Sequence, residues 1–300
     1  MEPKYIRFDW AMKRLLRDKA DFVVLEGLVK SLLGRDIKIL RFLESEANQQ
    51  DEFDKYNRVD MLAEADGGEL IIVEIQNSRE LAYFHRMLYG VSKAITDYIH
   101  LGDDYGKIHK VYSINIVYFE LGQGSDYVYH GRTVFTGLHK PDDTLRLSDS
   151  QLKRFFGIEK GSGETREAGV IFPEYYILRV EDFDNVARTP LDEWMRFLKT
   201  AEISDNTAAP GLAEARETLR VDSLSPDARA SYRKHLDAMA FQRSAFDTER
   251  YEGMMEGMKM GEHKKATDMA IAMLRDGESV DKVARYTGLT PDEIAALGKQ

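Results

Sequence analysis

Cysteine is absent from this 300-residue chain. That excludes disulfides, thiolate metal sites and a cysteine nucleophile, and it suits a reducing, cytoplasmic setting. No apolar run reaches the roughly 18 residues that a membrane span needs. The first residues, MEPKYIRFDWAMKRLLRDK, hold no apolar core of signal-peptide length. The seven histidines show no metal-ligand spacing. Positive charge is also in short supply, because the formal net charge is −10. A surface that grips nucleic acid everywhere is therefore disfavoured. A local basic groove is not, nor is a site in which bound cations reverse the local sign.

What is present has the pattern of a mixed α/β unit. A first helix is expected from about Asp9, whose carboxylate can cap Trp10-Ala11-Met12. A second runs from about Asp21 to Leu33 and stops at Gly34. IKILRFLES reads as a strand. RVDMLAEADGGELIIVEIQNS then reads as two strands joined at Gly67-Gly68. A further helix follows, with Leu81, Phe84, Leu88, Val91, Ile95 and Ile99 on one side, ending at Gly102. KVYSINIVYF is apolar at nearly every position, as a central strand covered on both faces should be. DYVYHGRTVF and EYYILRVEDF are further strand candidates. Between them GIEKGSGETREAG is Gly-rich, but no helix follows it as a phosphate-binding loop requires. TPLDEWMRFLKTA is a capped helix with Pro190 in its first turn.

From about residue 206 the composition changes. SDNTAAPG is a linker candidate, so the expected domains are 1–205 and a helical region, 206–300. Gly253, Gly257 and Gly261 recur every four residues on one helix face, each costing about 1 kcal/mol against Ala. Either another helix approaches closely there, from a second copy of the chain, or the glycines form a hinge. The surrounding methionines 254, 255, 258, 260, 269 and 273 suit an adaptable apolar contact. At the C-terminus, Thr290, Pro291 and Glu293 form a capping box in a pair of short helices. Asp292 and Glu293 would face phosphates badly there, which favours a packing module over a DNA reader.

The hairpin carries the chemistry. Side chains alternate along a strand, so Val59, Met61, Ala63 and Ala65 share one face of the first arm, and Ile71, Val73 and Ile75 share one face of the second. A two-residue loop would set these apolar rows on opposite faces. A three-residue loop, Asp66-Gly67-Gly68, aligns them and places Asp60 opposite Glu74. Opposed Cβ atoms lie about 4.5–5.5 Å apart, where two carboxylates repel unless a cation bridges them or the face is solvated. Glu64, roughly 13 Å along the strand, is too far away to share the ion. Gln76 points to the same side as Glu74 and can bond a ligating water.

Asp60 followed by Glu74-Ile75-Gln76 resembles the D…(D/E)xK signature of PD-(D/E)XK nucleases, with Gln in place of Lys. The order of elements also matches that fold, a mixed sheet flanked by helices. More narrowly, FDWAMK, RVDMLAEADGGELIIVEIQ, HRMLYGVSKAI, LGDDYGKIHKVYSINIVYF and YEGMMEGMKMG resemble the Rpn family of recombination-promoting nucleases, also described as transposases. The resemblance implies a restriction-endonuclease-like core, metal-dependent DNA endonuclease activity, and Asp60, Glu74 and the Ile75 backbone carbonyl as metal ligands. Mg²⁺ is the expected ion, with Mn²⁺ or Ca²⁺ as alternatives. Gln76 stands where the family's Lys would and supplies no charge. Arg86, Tyr89 and Lys93 share a helix face, and Arg86 or Lys93 is a candidate for the missing cation. Asp9 and Lys13 match first-helix positions of the family, although capping and an i,i+4 pair also account for them. The expected partners are DNA and a second copy of the chain. The contrasting expectation is a protein of the same fold that binds DNA or protein but no longer cuts. A purely structural role, worked through the Gly/Met helix, is a third reading.

Overall fold

The computed structural model describes residues 4–14, 22–43, 60–98 and 104–297. They form two compact units, Met1–Arg233 and Lys234–Gln300. In the first unit, helices α1 (Phe8–Arg14) and α2 (Phe22–Leu33) precede strands β1 (Ile39–Leu43), β2 (Met61–Ala65) and β3 (Leu70–Gln76). Helix α3 (Tyr83–Asp97) leads to β4 (Val111–Val117), and β5 (Val128–Gly131), β6 (Thr136–Gly137) and β7 (Lys140–Thr144) follow. After α4 (Asp149–Phe156) come β8 (Glu174–Arg179), α5 (Pro190–Thr200) and α6 (Leu212–Thr218).

Six strands make one mixed sheet in the order β1-β2-β3-β4-β8-β5. Its centre is parallel, β3 with β4 and β4 with β8, and both flanks are antiparallel. The central position of β4 follows from its composition: all seven residues are buried, as a strand covered on both faces requires. Strands β6 and β7 form a separate hairpin.

The β2–β3 register fixes the site. Met61 pairs with Val73 and Glu64 with Leu70, so the turn is Asp66-Gly67-Gly68. Gly68 closes it at φ +81°, where an L side chain would be strained. The expected three-residue loop is thus present, and Ala63, Ile71 and Val73 share a fully buried face. Val59 lies outside the described residues. The opposite face is not solvated either. Leu62, Leu70 and Ile72 pack with Val91 and Ala94 of α3, so whatever follows along that row, Glu74 included, enters an enclosed environment.

Helix α3 presents a different side from the one its apolar periodicity suggests. Tyr83, Met87, Val91 and Ala94 are buried, whereas Leu81, Phe84 and Leu88 are exposed. Tyr83 takes the inward position because its ring meets Phe119 edge-on at 5.8 Å and its hydroxyl reaches a partner on β4. Ile99 and Gly102 lie outside the described residues.

The segment that resembles a linker is instead tied down. Thr207 Oγ1 donates to Glu193 Oε2 at 2.5 Å, and Trp194 Nε1 donates to the Pro210 carbonyl at 3.0 Å. Gly27 of α2 admits Pro210 so closely that a Cβ would lie 2.2 Å from its carbonyl oxygen. Helix α5 carries the expected cap, Thr189 with Asp192 and Pro190.

Helix α7 (Pro226–Arg275) runs unbroken through Gly253, Gly257 and Gly261, about 75 Å at 1.5 Å per residue. It is followed by α8 (Val280–Thr287) and α9 (Pro291–Leu297). In the second unit Ala270, Val283, Leu289 and Ile294 form a small core. Thr290 and Glu293 form the expected capping box, which keeps the Glu293 carboxylate at the helix end. No helix among the described residues is long and apolar enough to cross a membrane.

Candidate metal and nucleic-acid site

Asp60 immediately precedes β2, one residue beyond the Met61–Val73 pair, and so stands opposite Glu74. Successive residues of β3 direct their amides to alternate neighbours. Leu70 donates toward β4 and the Gln76 carbonyl accepts from Tyr118 on the same side, so Ile75 faces β2. Beyond the end of that strand its N–H meets the Asp60 side chain instead, donating to Oδ2 at 2.8 Å. The Ile75 carbonyl leaves the strand on the same side. Asp60, Glu74 and this carbonyl therefore lie at the same end of one hairpin.

Glu74 is only 3% exposed. Burial pushes its carboxyl pKa up, Arg86 pulls it down, and the neighbouring Asp60 charge pushes it up again, with a net rise. Arg86 Nη2 lies 2.6 Å from Glu74 Oε1. The contact is a charged one between a buried carboxylate and a part-exposed guanidinium. Arg86 Nη1 reaches Glu80 Oε2 at 3.2 Å.

A buried polar chain lies beneath Glu74. Asn115 is its register partner on β4. Tyr83 Oη donates to Asn115 Oδ1 at 3.3 Å, and Asn115 Nδ2 donates to Ser113 Oγ at 2.9 Å. Burial first, then the Glu74 charge, push the Tyr83 phenol far above its ordinary value, so it remains a donor. The sequence reading missed Tyr83, Ser113 and Asn115. The signal was available: Ser113 and Asn115 are polar residues two apart in an otherwise apolar strand, hence on one face.

The other candidates are dispersed. Asp9 is buried, and its Oδ1 accepts from Trp10 N–H at 2.9 Å and from Arg7 Nε at 3.3 Å. Its Oδ2 accepts from Asn77 Nδ2 at 3.3 Å, which ties α1 to the residue after Gln76. The Lys13 side chain lies outside the described residues. Gln76 is half-buried. Tyr89 is exposed, and Lys93 pairs with Asp97 at 3.1 Å, so of the two cation candidates it is Arg86 that touches Glu74. Glu64 pairs with Arg41 on β1 at 2.7 Å and takes no part. Among the described residues no group of three or more His, Asp or Glu is placed to hold a metal ion. Any ion at Asp60 and Glu74 would draw its further donors from backbone or solvent.

The order of elements, the opposed acidic pair and the intervening carbonyl coincide with a match between residues 6–143 and the family model described as PD-(D/E)XK nuclease family transposase. Over these residues the chain is similar to a PD-(D/E)XK nuclease family transposase domain. Comparison with curated proteins and with solved structures gives no match. The matched PD-(D/E)XK stretch contains Asp9, Asp60, Glu74, Gln76 and Arg86, and it ends within β7. Strand β8, which completes the parallel centre of the PD-(D/E)XK sheet, lies beyond it.

Proposed function

We propose that this chain is a divalent-metal-dependent DNA endonuclease, with Mg²⁺ the first ion to test and Mn²⁺ or Ca²⁺ the alternatives. The observation that carries this reading is the buried carboxylate of Glu74 at the register position opposite Asp60. A buried carboxylate of raised pKa beside a second carboxylate is costly unless a cation joins them. The donors fit a hard divalent ion: two carboxylates and a carbonyl, all oxygen. Asp60, Glu74 and the Ile75 carbonyl would hold it.

Such an ion supplies Lewis acidity at the phosphodiester and lowers the pKa of water toward neutrality. The chain's own residues do the rest. The Ile75 N–H fixes the Asp60 carboxylate, and Tyr83 and Asn115 form the floor under Glu74. Gln76 orients water through its amide without adding charge. Arg86 brings the only cation in contact with Glu74 among the described residues. Asp9, through Asn77, holds the strand end that carries Gln76. Pure full-length protein should nick or cut duplex DNA when the ion is titrated in, and cutting should stop with excess EDTA.

The neutral Gln76 favours a second reading, a protein of this fold that binds without cutting. It predicts salt-sensitive DNA or protein binding that is unchanged by EDTA and yields no product at any ion concentration.

Helix α7 supports a homo-oligomer. Among the described residues a Cβ at Gly253, Gly257 or Gly261 would meet nothing within 4 Å, and Tyr251, Met254, Met258 and Met260 beside them are exposed. A second copy of α7 would gain close backbone approach there. Sedimentation should show a dimer that Gly257→Glu converts to monomer; a wild-type monomer at all concentrations contradicts this.

A further inference from the structure

We propose that Arg86 is an exchangeable counter-ion: it neutralises Glu74 while no divalent cation is bound, and it moves to Glu80 and a DNA phosphate when a cation takes Glu74. The inference rests on the reading of Asp60 and Glu74 as metal ligands and assigns to Arg86 the coupling of ion uptake to DNA contact.

The geometry of Arg86 is that of a guanidinium shared between two seats. A settled Arg–carboxylate pair is commonly bidentate, with two parallel bonds. Arg86 instead places Nη2 2.6 Å from Glu74 Oε1 and Nη1 3.2 Å from Glu80 Oε2. Its Nε is buried and has no acceptor among the described residues. The two seats differ in environment. The Glu74 side chain is 4% exposed, whereas those of Glu80 and Arg86 are 33% and 32% exposed. The guanidinium therefore spans the boundary between the enclosed carboxylate and solvent.

Charge balance points the same way. Glu74 and Glu80 bring two negative charges to the single positive charge of Arg86, so one guanidinium cannot fully satisfy both carboxylates. Once an ion neutralises Asp60 and Glu74, the attraction that holds Nη2 at Glu74 is largely cancelled. Glu80 still holds Nη1. The released Nη2 is then the charged donor offered to a phosphate oxygen. Because Gln76 carries no charge, this transfer places the cation at the phosphate only when the ion is in place.

The test is equilibrium binding of a duplex oligonucleotide to the full chain over a salt series, in Ca²⁺ and in EDTA, for wild type and Arg86→Met. In Ca²⁺, Arg86→Met should weaken binding roughly tenfold and lower the slope of log K against log salt by about one phosphate contact. In EDTA the variant should bind DNA as wild type does. Calorimetry of Ca²⁺ without DNA gives a second readout, in which Arg86→Met should take up the ion more tightly because the competing cation is gone. If Arg86→Met does not fold, Glu80→Gln replaces it. Without its second seat the guanidinium should stay on Glu74, and the Ca²⁺-dependent part of the salt slope should shrink. Equal loss of DNA binding with and without Ca²⁺, or no loss in either, overturns the exchange while leaving the metal reading intact. A wild-type chain that takes up no ion overturns both.

Discussion

Glu74→Gln is expected to slow DNA cleavage by about a thousandfold or more and, in EDTA at neutral pH, to raise the melting temperature. The two effects have one cause. The carboxylate proposed as a metal donor is buried, and its pKa is raised by burial and by Asp60 against the opposing pull of Arg86. Below the unfolded-state carboxyl pKa, near 4.3, both states are protonated and the raised folded value costs nothing. As pH rises toward and through the folded value, the native state must carry a buried charge and stability is lost. Glutamine avoids that loss and leaves Arg86 its pair with Glu80. The gain in melting temperature should therefore be present at pH 7 and vanish near pH 4. Thermal melts in EDTA across this range, with cleavage assays beside them, check both parts. A variant that cuts at the wild-type rate, or that melts lower than wild type at pH 7, would contradict this account of Glu74.

The second large effect concerns the frame that supports α1. Trp194 is fully buried and meets Phe8 edge-on at 5.7 Å and Phe197 at 6.0 Å. Its indole N–H satisfies the Pro210 carbonyl. Trp194→Ala removes the ring, opens a cavity and orphans that carbonyl, so it should cost about 3–5 kcal/mol. For a unit of this size that is a fall in melting temperature of about 6–20 °C. Trp194→Phe, which retains the packing and loses the hydrogen bond, should fall much less. Because Phe8 belongs to the helix whose Asp9 bonds Asn77, the Ala variant should also lose catalytic rate at temperatures where it remains folded. Thermal melts of both variants decide it: a change below about 2 °C for Ala would show that the ring does not anchor α1.

Several of these features were legible in the sequence because burial alone dictates them. Only a three-residue turn puts Ala63, Ile71 and Val73 on one face, and that register sets Asp60 against Glu74. The apolar run of β4 required cover on both sides, and the Thr189 and Thr290 caps follow from local hydrogen bonding. Other features depend on partners distant in sequence. The periodicity of α3 ranks Leu81, Phe84 and Leu88 above Tyr83, yet Tyr83 is buried because Asn115 receives its hydroxyl. The burial of Glu74 depends on α3 covering a row that already holds Leu70 and Ile72. The Asp60–Ile75 bond exists because β2 ends one residue short, which composition does not reveal. Helix α4 escaped notice although Ser148 and Gln151 form a capping box, because its short span sits among strand-like segments.

The most direct measurement is titration calorimetry of a divalent ion into the pure full-length chain, wild type beside Asp60→Asn. One ion bound per chain in wild type and none in the variant is the predicted result. No uptake by wild type, or equal uptake by both proteins, would contradict a metal site built on this hairpin.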